Sequence, residues 1–81
     1  PPHPDYNSGE RLLHEKLAVQ LNPTKLRVDD ISGGCGSMYA VEVESSAFKG
    51  LTVVKQHRLV TEILKDDIKG MHGIRIKTAA A

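Results

Sequence analysis

Two segments of this chain alternate apolar and polar residues, and the stretch between them repeats apolar residues at helical spacing. Met38–Glu44 puts Tyr39, Val41 and Val43 on one face and Glu42 and Glu44 on the other, the period of a strand with one wet face. Gly73–Thr78 alternates likewise, with Ile74 and Ile76 inward and Arg75 and Lys77 outward. From Thr52 a stripe at Val53, His57, Val60, Leu64 and Ile68 predicts one long amphipathic helix, capped by Thr52 and stopped at Gly70. A strand, a helix and a strand in succession is the usual crossover between parallel neighbours. If these strands pair in parallel, both begin at the same edge of the sheet.

The remaining elements fit around that unit. Asn7, followed three residues on by Glu10, predicts an N-cap pair, with Ser8 competing for the role. Leu13, Leu17 and Leu21 then place a helix at about 8–21, ended by Asn22-Pro23. Lys25–Ile31 reads as a first strand with Leu26 and Val28 on one face, joined to Met38–Glu44 as an antiparallel hairpin. Ser45–Gly50 is a turn with room for a short helical element. The residue reading is thus α-β-β-α-β. Residues 1–7 are expected to be a flexible lead-in, 8–78 the folded domain, and 79–81 a disordered tail.

Eighty-one residues hold one core. A 40% hydrophobic and 26% charged composition is that of a globular chain, and three aromatics without tryptophan leave the core to Leu, Ile and Val. One cysteine excludes an internal disulfide. A net charge of +1 gives no electrostatic pull toward nucleic acid or anionic membrane. No apolar run approaches the about 20 residues that span a bilayer.

The candidate chemistry lies at the shared edge. The single cysteine, Cys35, sits within Ser32-Gly33-Gly34-Cys35-Gly36-Ser37, where small neighbours leave a thiol accessible. His72, in Met71-His72-Gly73, immediately precedes the last strand. Parallel pairing brings both loops to one edge. A thiolate and an imidazole suit zinc, or iron in an iron–sulfur cluster. Two donors cannot close a four-ligand structural site. They would satisfy one iron of a 2Fe–2S cluster, with a second molecule completing the other.

Three blocks carry a family resemblance: Asp30-Ile31-Ser32-Gly33-Gly34-Cys35-Gly36-Ser37-Met38-Tyr39; Phe48-Lys49-Gly50 with Val54-Lys55-Gln56-His57-Arg58-Leu59-Val60; and Ile68-Lys69-Gly70-Met71-His72-Gly73-Ile74-Arg75-Ile76. Over roughly residues 9–78 the chain resembles the BolA family, and most of all its mitochondrial branch. The resemblance implies an α+β fold of order α-β-β-α-α-β, similar to a class II KH domain, with a three-stranded mixed sheet and helices on one face. It implies a non-enzymatic iron–sulfur assembly factor partnered by a monothiol glutaredoxin. Cys35 and His72 would be metal ligands to a shared 2Fe–2S cluster, completed by the glutaredoxin cysteine and glutathione. It further implies a mitochondrial matrix location and a role in delivering or maturing 4Fe–4S clusters on client proteins. The chain is expected to be monomeric alone and a heterodimer with glutaredoxin. Leu51-Thr52 departs from the family's usual Lys-Ser, and the Thr-Pro-x-x-Trp tail of the cytosolic branch is missing.

Other residues weigh differently. His57 falls in the apolar stripe and is expected to be a packed histidine, with a third metal ligand or a partner contact as the other reading. Arg58, Gly34 and Gly36 are candidate partner-contact or structural positions. His3 and His14 are expected to be solvated. Gly33-Gly34-Cys35-Gly36 matches the letters of a KH GxxG loop, and a KH-like nucleic-acid module is the alternative function. That loop belongs between two helices, however, whereas here it lies between strands and carries no lysine or arginine. A thiol redox enzyme built on Cys35 lacks a second cysteine to resolve its intermediate.

Overall fold

A computed structural model describes residues 5–81. The elements run α1 (Ser8–Leu21), β1 (Lys25–Asp30), β2 (Met38–Ser45), a single 3-10 turn (Ser46–Phe48), α2 (Val53–Ile63), α3 (Lys65–Ile68) and β3 (Gly73–Ala80). The strands form one mixed sheet in the order β1-β2-β3. β1 and β2 are antiparallel, from Lys25 opposite Glu44 to Asp30 opposite Tyr39. β2 and β3 are parallel, starting with Met38 opposite Gly73. That parallel pairing fixes the edge at which the two candidate loops meet.

Helix α1 begins with a reciprocal cap. The Asn7 side chain accepts from the Glu10 N–H at 2.8 Å, and Glu10 Oε1 accepts from the Asn7 N–H at 2.8 Å. It ends where Asn22 enters the left-handed region at φ 43° and returns its N–H to the Ala18 carbonyl. Leu13, Leu17 and Leu21 project onto the sheet and meet Val28, Tyr39, Val41 and Val43, with Phe48, Val60 and Leu64 closing the core. The helices cover this one face; the other presents Lys25, Arg27, Glu42, Arg75 and Lys77 to solvent.

Four expectations change. The single helix drawn over 52–70 is two, because Leu64 leaves helical geometry at φ −101° and ψ 10° while staying fully buried. The chain turns about that residue, and Asp67 on α3 reaches Lys16 of α1 at 2.7 Å. The stripe is also displaced: Val53 is exposed and Gln56 takes the buried position beside Val60. The tail at 79–81 is not disordered, since Ala79 and Ala80 pair with Glu44 and Ser45 and the Ala81 N–H donates to the Ser45 carbonyl at 3.2 Å. Backbone hydrogen bonding extends β3 beyond its last patterned side chain. In the lead-in, residues 1–4 and with them His3 lie outside the described residues. Tyr6 and Asn7 are anchored, however: the Tyr6 hydroxyl accepts the Val28 N–H at 2.9 Å, and Asn7 caps α1.

Candidate metal centre

The loop carrying Cys35 joins β1 to β2 through residues 31–37. Its shape follows from glycine: Gly33, Gly34 and Gly36 have φ of 79°, 98° and 73°, a region that side chains with a Cβ rarely enter. Around Gly34 there is open space, whereas a Cβ on Gly36 would lie 3.3 Å from the Tyr39 hydroxyl oxygen. The tip is therefore free and its base supported. Cys35 is exposed at that tip.

The base is held by one carboxylate. Asp30 Oδ1 accepts from the Ser32 N–H at 2.9 Å and from the Ser32 hydroxyl. Its Oδ2 accepts from the Gly36 N–H and from Asn7 Nδ2, both at 3.2 Å. These donors, the Ser32 hydroxyl and N–H foremost, hold the Asp30 carboxyl below its ordinary range. The Asp30 N–H donates to Glu10 Oε2 at 2.7 Å, so the cap of α1 and the loop share one network.

His72 arrives from the other side. Helix α3 ends at Ile68, the Met71 N–H turns back to the Ile68 carbonyl at 2.9 Å, and the chain enters β3 at Gly73. The Ser37 carbonyl accepts the His72 N–H at 2.6 Å and the Gly73 N–H at 3.3 Å. Ser37 is two residues from Cys35, a span of at most about 7 Å. The two loops are thus stitched together by backbone, and the exposed thiol and exposed imidazole project from neighbouring loops. Beside them a crevice of about 210 Å³ is lined in part by Leu12, Gly36, Gly70 and Met71.

Among the described residues no group of three or more His, Cys, Asp or Glu side chains is placed to hold a metal ion. One soft sulfur and one imidazole nitrogen fit half of a metal's shell and leave the rest to another molecule. His57 is half-buried on α2 and makes no three-residue ligand cluster with Cys35 and His72, and Arg58 is exposed on the same helix. His14 corrects the reading of a solvated residue. It is buried on α1 itself, its ring tilted 58° against Tyr6 at 5.5 Å, and its Nδ1 has no partner among the described residues. Burial lowers its pKa below the ordinary 6.5. The role of Asp30 was also missed. The Asp-x-Ser spacing ahead of the glycines was its one signal in sequence, the pattern of a side chain bonding backbone two residues on.

A family model described as BolA-like protein matches residues 10–81. This chain belongs to the BolA family. Among BolA relatives, BolA-like protein 3 of Homo sapiens is 52% identical over 69 residues, covering 85% of this chain and 62% of that one. BolA-like protein 3 of Saccharomyces cerevisiae is 46% identical over 69 residues, covering 85% and 58%. The chain therefore spans about three fifths of the length of these two relatives. The solved structure of BolA1 from Arabidopsis thaliana superposes with a TM-score of 0.85 at 28% identity, over 93% of this chain and 94% of that one. The BolA domain of SufE1 from the same plant gives 0.86 at 31% identity, over the same shares. The helix–strand–strand–helix–helix–strand order expected from the three blocks is the observed one.

Proposed function

We propose that this BolA-family chain is a non-catalytic co-ligand for a 2Fe–2S cluster shared with a monothiol glutaredoxin, and that it assists delivery of clusters to client proteins. The observation that carries the reading is the Ser37 carbonyl, which takes both the His72 and Gly73 N–H groups and so joins the cysteine loop to the histidine loop. The cluster is cargo in this reading. Cys35 would bind as thiolate, releasing its proton, and His72 would bind through a neutral ring nitrogen. The partner's cysteine and a glutathione thiolate would supply the second iron's ligands. An imidazole in place of a thiolate raises the reduction potential and makes binding sensitive to acid. A mitochondrial matrix setting, with 4Fe–4S proteins as clients, goes with this reading, supported by the similarity to relatives named BolA-like protein 3.

The test is co-expression with a monothiol glutaredoxin in the presence of glutathione, followed by visible absorption and circular dichroism of the co-eluting fraction. The wild type is expected to give a coloured heterodimer, while the chain alone holds little cluster. Cys35→Ser and His72→Ala should each change the visible spectra. Spectra unchanged in both variants would remove these two residues as ligands.

A further inference from the structure

We infer that Asp30 is the positioning residue of this site, setting where the Cys35 loop stands relative to His72. The inference rests on the co-ligand reading and deepens it. Asp30 closes the mouth of the loop from within, because its two oxygens receive N–H groups from both ends, Ser32 and Gly36, and bracket the tip that holds Cys35. The Ser32 hydroxyl donates to Asp30 and in turn accepts the Ser37 N–H at 3.3 Å. Ser37 then binds the backbone of His72 and Gly73 through its carbonyl. A continuous path thus runs from Asp30 through Ser32 and Ser37 to the second donor loop. At its other end Asp30 is tied to α1 through Asn7 Nδ2 and Glu10 Oε2. The loop's three left-handed glycines resist no displacement by themselves. Two donors that must meet one iron need their spacing held by something else: the Ile31 N–H closes the hairpin onto the Met38 carbonyl at 3.0 Å, and within that closure the Asp30 carboxylate is bonded to the backbone of both Ser32 and Gly36. It touches neither the metal nor the partner in this scheme.

Amide hydrogen exchange on the full chain reads the clamp without any cluster. Asp30→Ala is expected to speed exchange at Ser32 and Gly36 about tenfold or more, while the β2 amides of Val41 and Val43 keep their protection. Asp30→Asn can accept on one side only, so it frees one of those two amides and spares the other. In the glutaredoxin–glutathione complex, Asp30→Ala should shift the visible circular dichroism of the cluster and reduce its occupancy several-fold. Ser32→Ala, which cuts only the hydroxyl link to Ser37, should do the same in smaller measure and keeps the test open if Asp30→Ala fails to fold. Unchanged exchange at Ser32 and Gly36 overturns the clamp. An earlier melt with a wild-type cluster spectrum makes Asp30 merely structural and also overturns it. If the wild type itself forms no coloured complex, the co-ligand reading fails, and exchange alone then reports whether Asp30 holds the loop.

Discussion

Gly9 shows how one hydrogen atom can decide the sign of a substitution. It lies in the first turn of α1, where helix propensity alone makes alanine better by about 1 kcal/mol. A Cβ there would stand 2.0 Å from the Tyr39 hydroxyl oxygen and 3.2 Å from the ring carbon bearing it. Tyr39 is 6% exposed and supports the base of the Cys35 loop, so it cannot simply swing away. Gly9→Ala is therefore expected to destabilise by about 1–3 kcal/mol, read as a lower urea midpoint. Repeating it in a Tyr39→Phe background, which removes the offending oxygen, should recover most of the loss; equal losses in both backgrounds would place the strain elsewhere. His14 makes a second prediction. Burial depresses its pKa, so the unfolded chain binds the proton more readily than the folded one. The resulting stability is intact above pH 6.5 and declines as the pH falls below that toward the folded value. His14→Leu should flatten this part of a urea midpoint against pH curve between 7 and 5, and a curve of unchanged slope would count against a buried neutral imidazole. Neither residue was legible beforehand, since both depend on what lies across the fold: Tyr39 over Gly9, and Tyr6 over His14.

Among the elements, the hairpin, the cap of α1 and the parallel crossover could all be read from alternation and spacing. Where reading failed, a polar group had found internal partners. Gln56 is 7% exposed and occupies the position that hydropathy assigns to an apolar residue. Its Nε2 donates to the Leu51 carbonyl at 2.9 Å and its Oε1 accepts the Thr78 hydroxyl at 2.7 Å, joining the approach to α2, the helix and β3. A scale that prices glutamine as exposed cannot foresee this, and hydropathy runs the stripe through Val53 and His57 instead. The split at Leu64 was hidden for a related reason. Its side chain continues the apolar period while its backbone turns, and the turn is rewarded by the distant Lys16–Asp67 pair. The strand pairing of Ala79 and Ala80 needs no side-chain pattern at all, being backbone on backbone. Gln56→Leu is expected to cost about 1–3 kcal/mol, because it leaves the Leu51 carbonyl and Thr78 hydroxyl without their partner. Adding Thr78→Val should cost less than the two single losses together; strict additivity in a double-mutant cycle would mean that the pair does not act as a bridge.

At the scale of the whole molecule, the KH-like layout raises the question of nucleic acid, and the charge distribution answers it. The chain carries a net +1, and most cations of its uncovered sheet face are paired: Lys25 lies 2.7 Å and Lys77 3.8 Å from Glu42, and Arg27 lies 3.0 Å from Asp29, leaving Arg75 exposed without an ion pair among the described residues. On the helical side Lys16 pairs with Asp67, Lys65 with Glu62 and Lys69 with Asp66. These surface pairs add little stability, yet each engages a cation that phosphate would otherwise attract. The glycine loop joins two strands of a hairpin, and residues 31–37 contain no lysine or arginine to clamp a backbone. Each phosphate neutralised on duplex DNA contributes about −0.9 to the slope of log K against log salt. Titrations of duplex DNA and of single-stranded RNA between 50 and 200 mM salt, roughly the range over which basic binders lose most of their affinity, should therefore give weak binding and a slope shallower than about −2. A slope of about −6 with tight binding would mean that the cations outside these ion pairs, Lys55 and Arg58 of α2 among them, gather phosphate, and would return the nucleic-acid reading to first place. With six of the eleven lysines and arginines in ion pairs among the described residues, a net charge of +1 and no cation in the glycine loop, the fold offers little to phosphate, and its exposed sulfur and imidazole stand on the two loops that the Ser37 carbonyl joins.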